Sequence, residues 1–247
     1  MKVVDKEQLQ VTIPQQEERF TMLIEDAFPL LSEGTVITGV LCHGILKEKG
    51  TFYLLGGDGK QQIVRADMIE LLTATGHRKT LRVDGIERIG ILIHEELQMT
   101  VEEGMLATNV EVNTGDINKP FENIRLKGYL AARIHSEMEE VESWIARELD
   151  VARFLVLVQF EKQPENQEDG TAVVTEDTRM QCPFLTNTNG ESFQPVFTDW
   201  VELRRWVGSE PDVQTIIMTK EDALAMVARN PELKGVVVNP FSDNYMF

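Results

Sequence analysis

The sequence is short of cysteine, histidine and positive charge, and each shortage excludes something. Two cysteines in 247 residues, Cys42 and Cys182, cannot build a disulfide framework and fit a reducing compartment. The four histidines, His43, His77, His94 and His135, stand far apart. None pairs with another at helical spacing, so no metal site is written into the order of the chain. No apolar stretch approaches the ~20 residues of a membrane helix. The opening Met1-Lys2-Val3-Val4-Asp5 has no signal-peptide core, so a cytoplasmic protein is expected. Lys and Arg number 24 against 41 Asp and Glu, a formal net charge of -17. Such a chain repels phosphate backbones and anionic lipid at long range, although a local basic patch is compatible with it.

What is present is ordinary globular material, with 42% apolar and 26% charged residues. Against a prior of ~150 residues per domain, the length suggests one large or two modest domains. The first part reads as all-β. Leu9, Val11 and Ile13 alternate with polar residues, as do Phe20, Met22 and Ile24. Short β-rich runs follow at Val36–Val40, Thr51–Leu55, Gln62–Arg65 and Ile89–Ile93. Turn signals at Ser32–Gly34, Lys49–Gly50, Gly56–Gly59 and Asp84–Gly85 separate them, a spacing that suits a small antiparallel barrel or sandwich.

Residues 111–121 are polar, carry Gly and Pro, and have no periodicity, so they read as a linker. The acid excess deepens beyond them, from net -6 over residues 1–110 to net -11 over 111–247. The second half alternates helix and strand. Leu126, Leu130, Ile134, Met138, Val141, Ile145 and Leu149 form one helical stripe, beginning near Asn123 or at a Ser136/Glu139 capping box. Arg153–Phe160 reads as a central strand, followed by strands at Ala172–Thr175 and Met180–Leu185 and a hairpin into Ser192–Phe197. Asp199 with Glu202 and Thr219 with Asp222 predict two capped helices. The second helix lies between strands Val213–Met218 and Gly235–Val238, a βαβ pattern.

Residues that could carry chemistry are few. Gly56-Gly57-Asp58-Gly59-Lys60-Gln61 has the wrong spacing for a phosphate loop and lacks its hydroxyl, so it reads as a hairpin turn. Cys42 and His43 are strand neighbours and face opposite ways, which opposes a nucleophile–base pair. Both cysteines read as small buried hydrophobes. Adjacent carboxylates such as Glu25-Asp26, Glu95-Glu96 and Glu102-Glu103 arise easily among 41 acids and read as solvated faces or turns. Trp144, Trp200 and Trp206 read as core packing. No cofactor and no metal are expected.

Two stretches carry resemblances. Phe20–Phe28 with its Ile24-Glu25-Asp26-Ala27-Phe28, Gly34-Thr35-Val36-Ile37-Thr38-Gly39 followed by Gly44, Arg88–Ile93 and Val101–Ala107 resemble, in order, domain two of elongation factor Tu and other translational GTPases. That family's barrel does no chemistry itself; it supports a GTPase domain and contacts tRNA or the ribosome. The resemblance implies that Glu25, Asp26, Phe28 and Thr38 match positions lining a pocket for the aminoacyl end of tRNA. The same residues also read as strand-turn and barrel architecture. The chain departs from the family at Ser32-Glu33 and at Leu41-Cys42-His43, where cationic residues usually stand. The second half, through Pro195–Trp206, Ala223–Asn230 and Gly235–Phe241, resembles the enhanced serine sensitivity (SseB-like) family, which brings no catalytic residues to carry over.

The fold expected is therefore α+β and multidomain. An extension over 1–16 precedes a translation-factor-like antiparallel β-barrel over 17–110; a linker over 111–121 leads to an α/β domain with a mixed sheet over 122–247. The function expected is that of a non-catalytic, cytosolic interaction or adaptor protein whose partner is another protein. The resemblances imply a link to translation or amino-acid stress. One alternative is binding of an aminoacyl-tRNA end or an amino-acid-like ligand by Glu25, Asp26, Phe28 and Thr38, with RNA disfavoured by the charge. A second is a thiol or carboxylate enzyme. No membrane partner is expected, and a homo-oligomer stays open.

Overall fold

The computed structural model describes residues 3–5, 19–57, 59–112, 122–161, 165–166, 172–173, 180–209 and 213–247. The alternation at Leu9, Val11 and Ile13 and most of the 1–16 extension and 111–121 linker lie outside them. Among the described residues the fold is mostly β-sheet with four helices. The chain divides into two compact units. One comprises Ile13–Val112 with Lys127–Ile145; the other comprises Met1–Thr12, Asn113–Leu126 and Ala146–Phe247. The first strand, β1 (Val3–Asp5), belongs to the second of these.

Among its described residues the N-terminal unit holds ten strands: β2 (Thr21–Leu30), β3 (Gly34–His43), β4 (Ile45–Lys47), β5 (Thr51–Leu55), β6 (Gln61–Arg65), β7 (Met68–Thr73), β8 (Gly76–Thr80), β9 (Arg82–Asp84), β10 (Glu87–Ile93) and β11 (Leu106–Thr108). Eight of them form one antiparallel sheet in the order β6-β5-β11-β2-β3-β10-β7-β8, and β4 pairs with β9. Only Ala66 and Asp67 separate β6, which pairs with β5, from β7, which pairs with β10. At that joint the Ala66 N–H donates to Gly50 O and the Asp67 N–H to Leu92 O.

The predicted alternation is what buries the core. Met22, Ile24, Ile37, Leu41, Ile69, Ile89, Ile91 and Ile93 all face one cluster. Turns fall where Ser32, Lys49 and Gly85 take positive φ, as the turn residues predicted. The run β7–β9 carried no clear signal, because β8 is exposed and charged rather than alternating. His77, Arg78 and Lys79 stand on this edge strand, where charge discourages pairing with another chain.

The single stripe predicted over 126–149 is two helices, α1 (Ile124–His135) and α2 (Val141–Val151). Two features break it. The Ser136 hydroxyl accepts the Met138 N–H, a local bond that competes with the helix ladder. Glu137, Glu139 and Glu140 crowd like charge into the same turn.

In the second unit, β12 (Phe154–Phe160) is central, as its continuous apolar run predicted. The order there is β1-β18-β12-β15, with β15 at Met180–Gln181 and β18 at Gln214–Met218. Two short strands, β13 (Glu165–Asn166) and β14 (Ala172–Val173), pair with each other; the rest of the predicted 172–175 strand lies outside the described residues. The predicted hairpin is β16 (Leu185–Thr186) with β17 (Ser192–Val196). A second, mixed sheet runs β16-β17-β19-β20, with β19 at Leu233–Val238 and β20 at Tyr245–Met246. Its parallel pair is β17 with β19. The βαβ expectation is thus corrected: β18 and β19 flank a helix in sequence but join different sheets.

Both predicted caps form. Asp199 Oδ1 accepts the Glu202 N–H at 2.9 Å to open α3 (Trp200–Val207). Thr219 and Asp222 make a reciprocal capping box on α4 (Lys220–Arg229), which ends at Asn230. Leu155, Phe197, Trp200, Leu203 and Val213 form the core beside α3, with Trp206 stacked on Phe197 at 5.8 Å.

Candidate functional site

The outer face of the N-terminal sheet gathers the residues that the sequence singled out. Side chains alternate, so those flanking the core residues of β2, β3, β10 and β7 point away from the core. Register aligns them in rows. Phe28 lies opposite Val36, Val36 opposite Leu92, and Leu92 opposite Met68. The neighbouring row is Asp26, Thr38, Gly90 and Glu70. Asp26, Phe28 and Thr38 therefore share one surface. The Thr38 hydroxyl donates to Asp26 O at 3.5 Å, and Asp26 Oδ1 accepts the Ala27 N–H at 2.7 Å. Past them Leu30 is 37% exposed and Leu31 98%, and Phe28 itself is 41% exposed.

Glu25 is the extra residue of a register shift between Ile24 and Asp26. Its Oε1 accepts from Arg88 Nη2 at 2.7 Å. Burial pushes the Glu25 carboxyl above its ordinary range, Arg88 pulls it back, and Glu137 and Glu103 push it up again; the net direction is upward. Gly90 is buried in this face. A β-carbon there would reach Leu72 Cδ2 at 3.7 Å, Thr38 Cγ2 at 3.8 Å and Val36 Cγ1 at 3.9 Å.

The remaining sequence candidates sit apart. His77 Nδ1 is 3.4 Å from Glu70 Oε2, the His94 ring meets Glu33 O, and His135 closes α1. Among the described residues no group of three His, Cys, Asp or Glu side chains could hold a metal ion. Cys42 is buried as expected, but Cys182 is only partly buried, a correction to its reading as a core residue. It follows β15, the end strand of its sheet.

Cys182 instead lines a cleft of about 730 Å³ that the sequence did not announce. The floor is Ile217 and Met218 of β18; α4 supplies Ala225, Met226 and Arg229; Met180, Gln194 and Leu233 complete the walls. Burial pushes the Cys182 thiol up to about 11, so it is uncharged at neutral pH. The signal available in the sequence was the 222/225/226/229 stripe of α4, which mixes charge with apolar residues and so resembles a solvated face.

The family model described as the SseB protein N-terminal domain matches residues 128–247, just under half of the chain. The second half thus carries the SseB likeness that its helix and strand blocks implied. No curated protein matches. Solved structures that match include translation elongation factor SelB from Methanococcus maripaludis in its apo form. That match is 13% identical over 84% of this chain and 39% of the other, at a TM-score of 0.34. The same factor in complex with the GTP analogue GppNHp gives 13%, 84%, 37% and 0.34. A bacterial selenocysteine-specific elongation factor, EF-Sec, gives 12%, 73%, 28% and 0.34. The chain therefore spans well under half the length of these structures.

Proposed function

We propose that this chain is a non-catalytic cytosolic interaction protein that binds another protein through the outer face of its N-terminal sheet. The observation that carries the reading is the exposed cluster Phe28, Leu30 and Leu31 at the end of β2, flanked by half-buried Val36 and Met68, with Leu92 buried beneath the row. Large apolar side chains grouped on a surface mark contact sites more often than singly scattered ones do. The N-terminal sheet closes into a translation-factor-like barrel of six strands in this reading. Its support is the continuous stretch 61–73, whose first half pairs with β5 and whose second half pairs with β10. A setting in translation or amino-acid stress rests on the sequence blocks of the two halves.

The test is quantitative co-purification from native lysate at low salt with wild type, Phe28→Ser and Leu31→Ser. Both residues are exposed, so the fold tolerates the changes. A partner enriched by wild type and reduced at least about ten-fold by both variants is the expected result. Equal recovery with all three chains, or no enriched protein, ends the reading.

The shared face of Asp26, Phe28 and Thr38 favours a second reading, an amino-acid-like ligand held there. Titration with free amino acids and aminoacyl-tRNA tests it, with Thr38→Val removing the hydroxyl of this face. No binding at ligand concentrations on the order of 1 mM removes it.

A further inference from the structure

We propose that the cleft between α4 and β18 binds a small organic anion, a carboxylate carried on an aliphatic body. Its volume of about 730 Å³ lies within the ~300–1,000 Å³ typical of small-molecule sites. Its walls match such a body. Ile217 and Leu233 are aliphatic, and Met180, Met218 and Met226 are unbranched thioethers that adjust to the outline of an apolar guest. Three methionines around one space in a single unit give an adaptable surface rather than a rigid mould.

The charge at the cleft selects the head group. The protein as a whole is strongly anionic, and the cleft lining carries one carboxylate, Asp222, and one guanidinium, Arg229; of the two, Arg229 is the one with its hydrogen-bonding groups left for a ligand. Asp222, the carboxylate in the lining, is committed to its helix cap. Its Oδ2 accepts the Thr219 N–H at 3.0 Å and the Thr219 hydroxyl at 2.8 Å. These bonds hold the Asp222 carboxyl below its usual range, as a satisfied acceptor. The Cys182 thiol stays protonated and adds no negative charge. Arg229 is exposed in the last turn of α4 and has no hydrogen-bond or ion-pair partner among the described residues. Its fork of N–H donors matches a carboxylate at the cleft mouth in a two-bond arrangement. The apolar floor and the cationic rim together describe an amphipathic anion. A cation would meet Arg229 with like charge, and a neutral molecule would forgo the charge-assisted bonds.

The experiment uses the full chain labelled with ¹³C at the methionine methyls, with octanoate as the probe and octanamide and octylamine as controls. Of the ten methionines, Met180, Met218 and Met226 are expected to shift with octanoate, with the others still. Arg229→Gln is expected to weaken octanoate at least about five-fold and to leave octanamide unchanged. Ala225→Trp, at an exposed position of α4, is expected to occlude the cleft and abolish the shifts. Three outcomes overturn the proposal: no shift of these methyls with octanoate up to about 10 mM, octylamine binding as tightly as octanoate, or either variant binding octanoate as wild type does.

Discussion

Asp67 is the residue on which the N-terminal sheet turns. It stands between β6 and β7 with its side chain 1% exposed. One carboxylate oxygen accepts Arg65 Nε at 2.9 Å and the other accepts the His94 N–H at 2.9 Å, while Lys49 Nζ donates to the Asp67 carbonyl at 2.6 Å. Burial alone would raise its pKa; the His94 and Arg65 bonds outweigh burial, and the net direction is downward. Asp67→Ala is expected to cost about 1–3 kcal/mol in urea unfolding, because it leaves the His94 N–H without its acceptor and removes the bond to half-exposed Arg65. A depressed carboxyl stabilises the fold above its unfolded value of 3.8, and that contribution is lost as pH falls through the lower folded value. Asp67→Asn should therefore flatten the loss of stability on acidification below about pH 4. Gly44 imposes a different constraint. Its φ is +84°, and a β-carbon would sit 1.5 Å from Arg19 O. Gly44→Ala is expected to destabilise by about 3–5 kcal/mol, read from the same urea curves.

The helix caps set the ends of α3 and α4, and their burial sets what each contributes. Asp222 is exposed and Thr219 only half-buried, so Thr219→Ala is expected to cost about 1 kcal/mol. Asp199 is buried, and it holds both the Glu202 N–H and the Thr198 hydroxyl. Asp199→Ala is expected to cost about 2–3 kcal/mol, and thermal unfolding of the two variants side by side checks the order. Both caps were legible in the sequence because a cap is a bond across three residues. The break between α1 and α2 was not. The apolar stripe runs through it unbroken, and the Ser136 bond together with the Glu137, Glu139 and Glu140 crowding decides against a continuous helix.

Over the whole molecule the charge of -17 works against compactness through self-repulsion. Screening should relieve it. Raising the salt from about 0.02 M to about 0.5 M is expected to raise the Tm by a few degrees, as the screening length falls from about 20 Å to about 4 Å. Scanning calorimetry across that series checks it, and a Tm that falls throughout would contradict the repulsion argument.

The amino-acid order alone determined the strands of β2, β3, β5, β6 and β10, the positive-φ turns and the capped helices. Alternation, turn chemistry and capping act between residues at most a few positions apart. Only the tertiary structure decided that β19 joins β17 rather than β18, that Asp26, Phe28 and Thr38 share a face with Leu92 and Met68, and that Cys182 borders a cleft with Arg229. Each of these depends on pairing or packing between segments distant in the chain. Many such arrangements suit the same local pattern, and the one that buries the most apolar surface with its polar groups bonded is the one that stands.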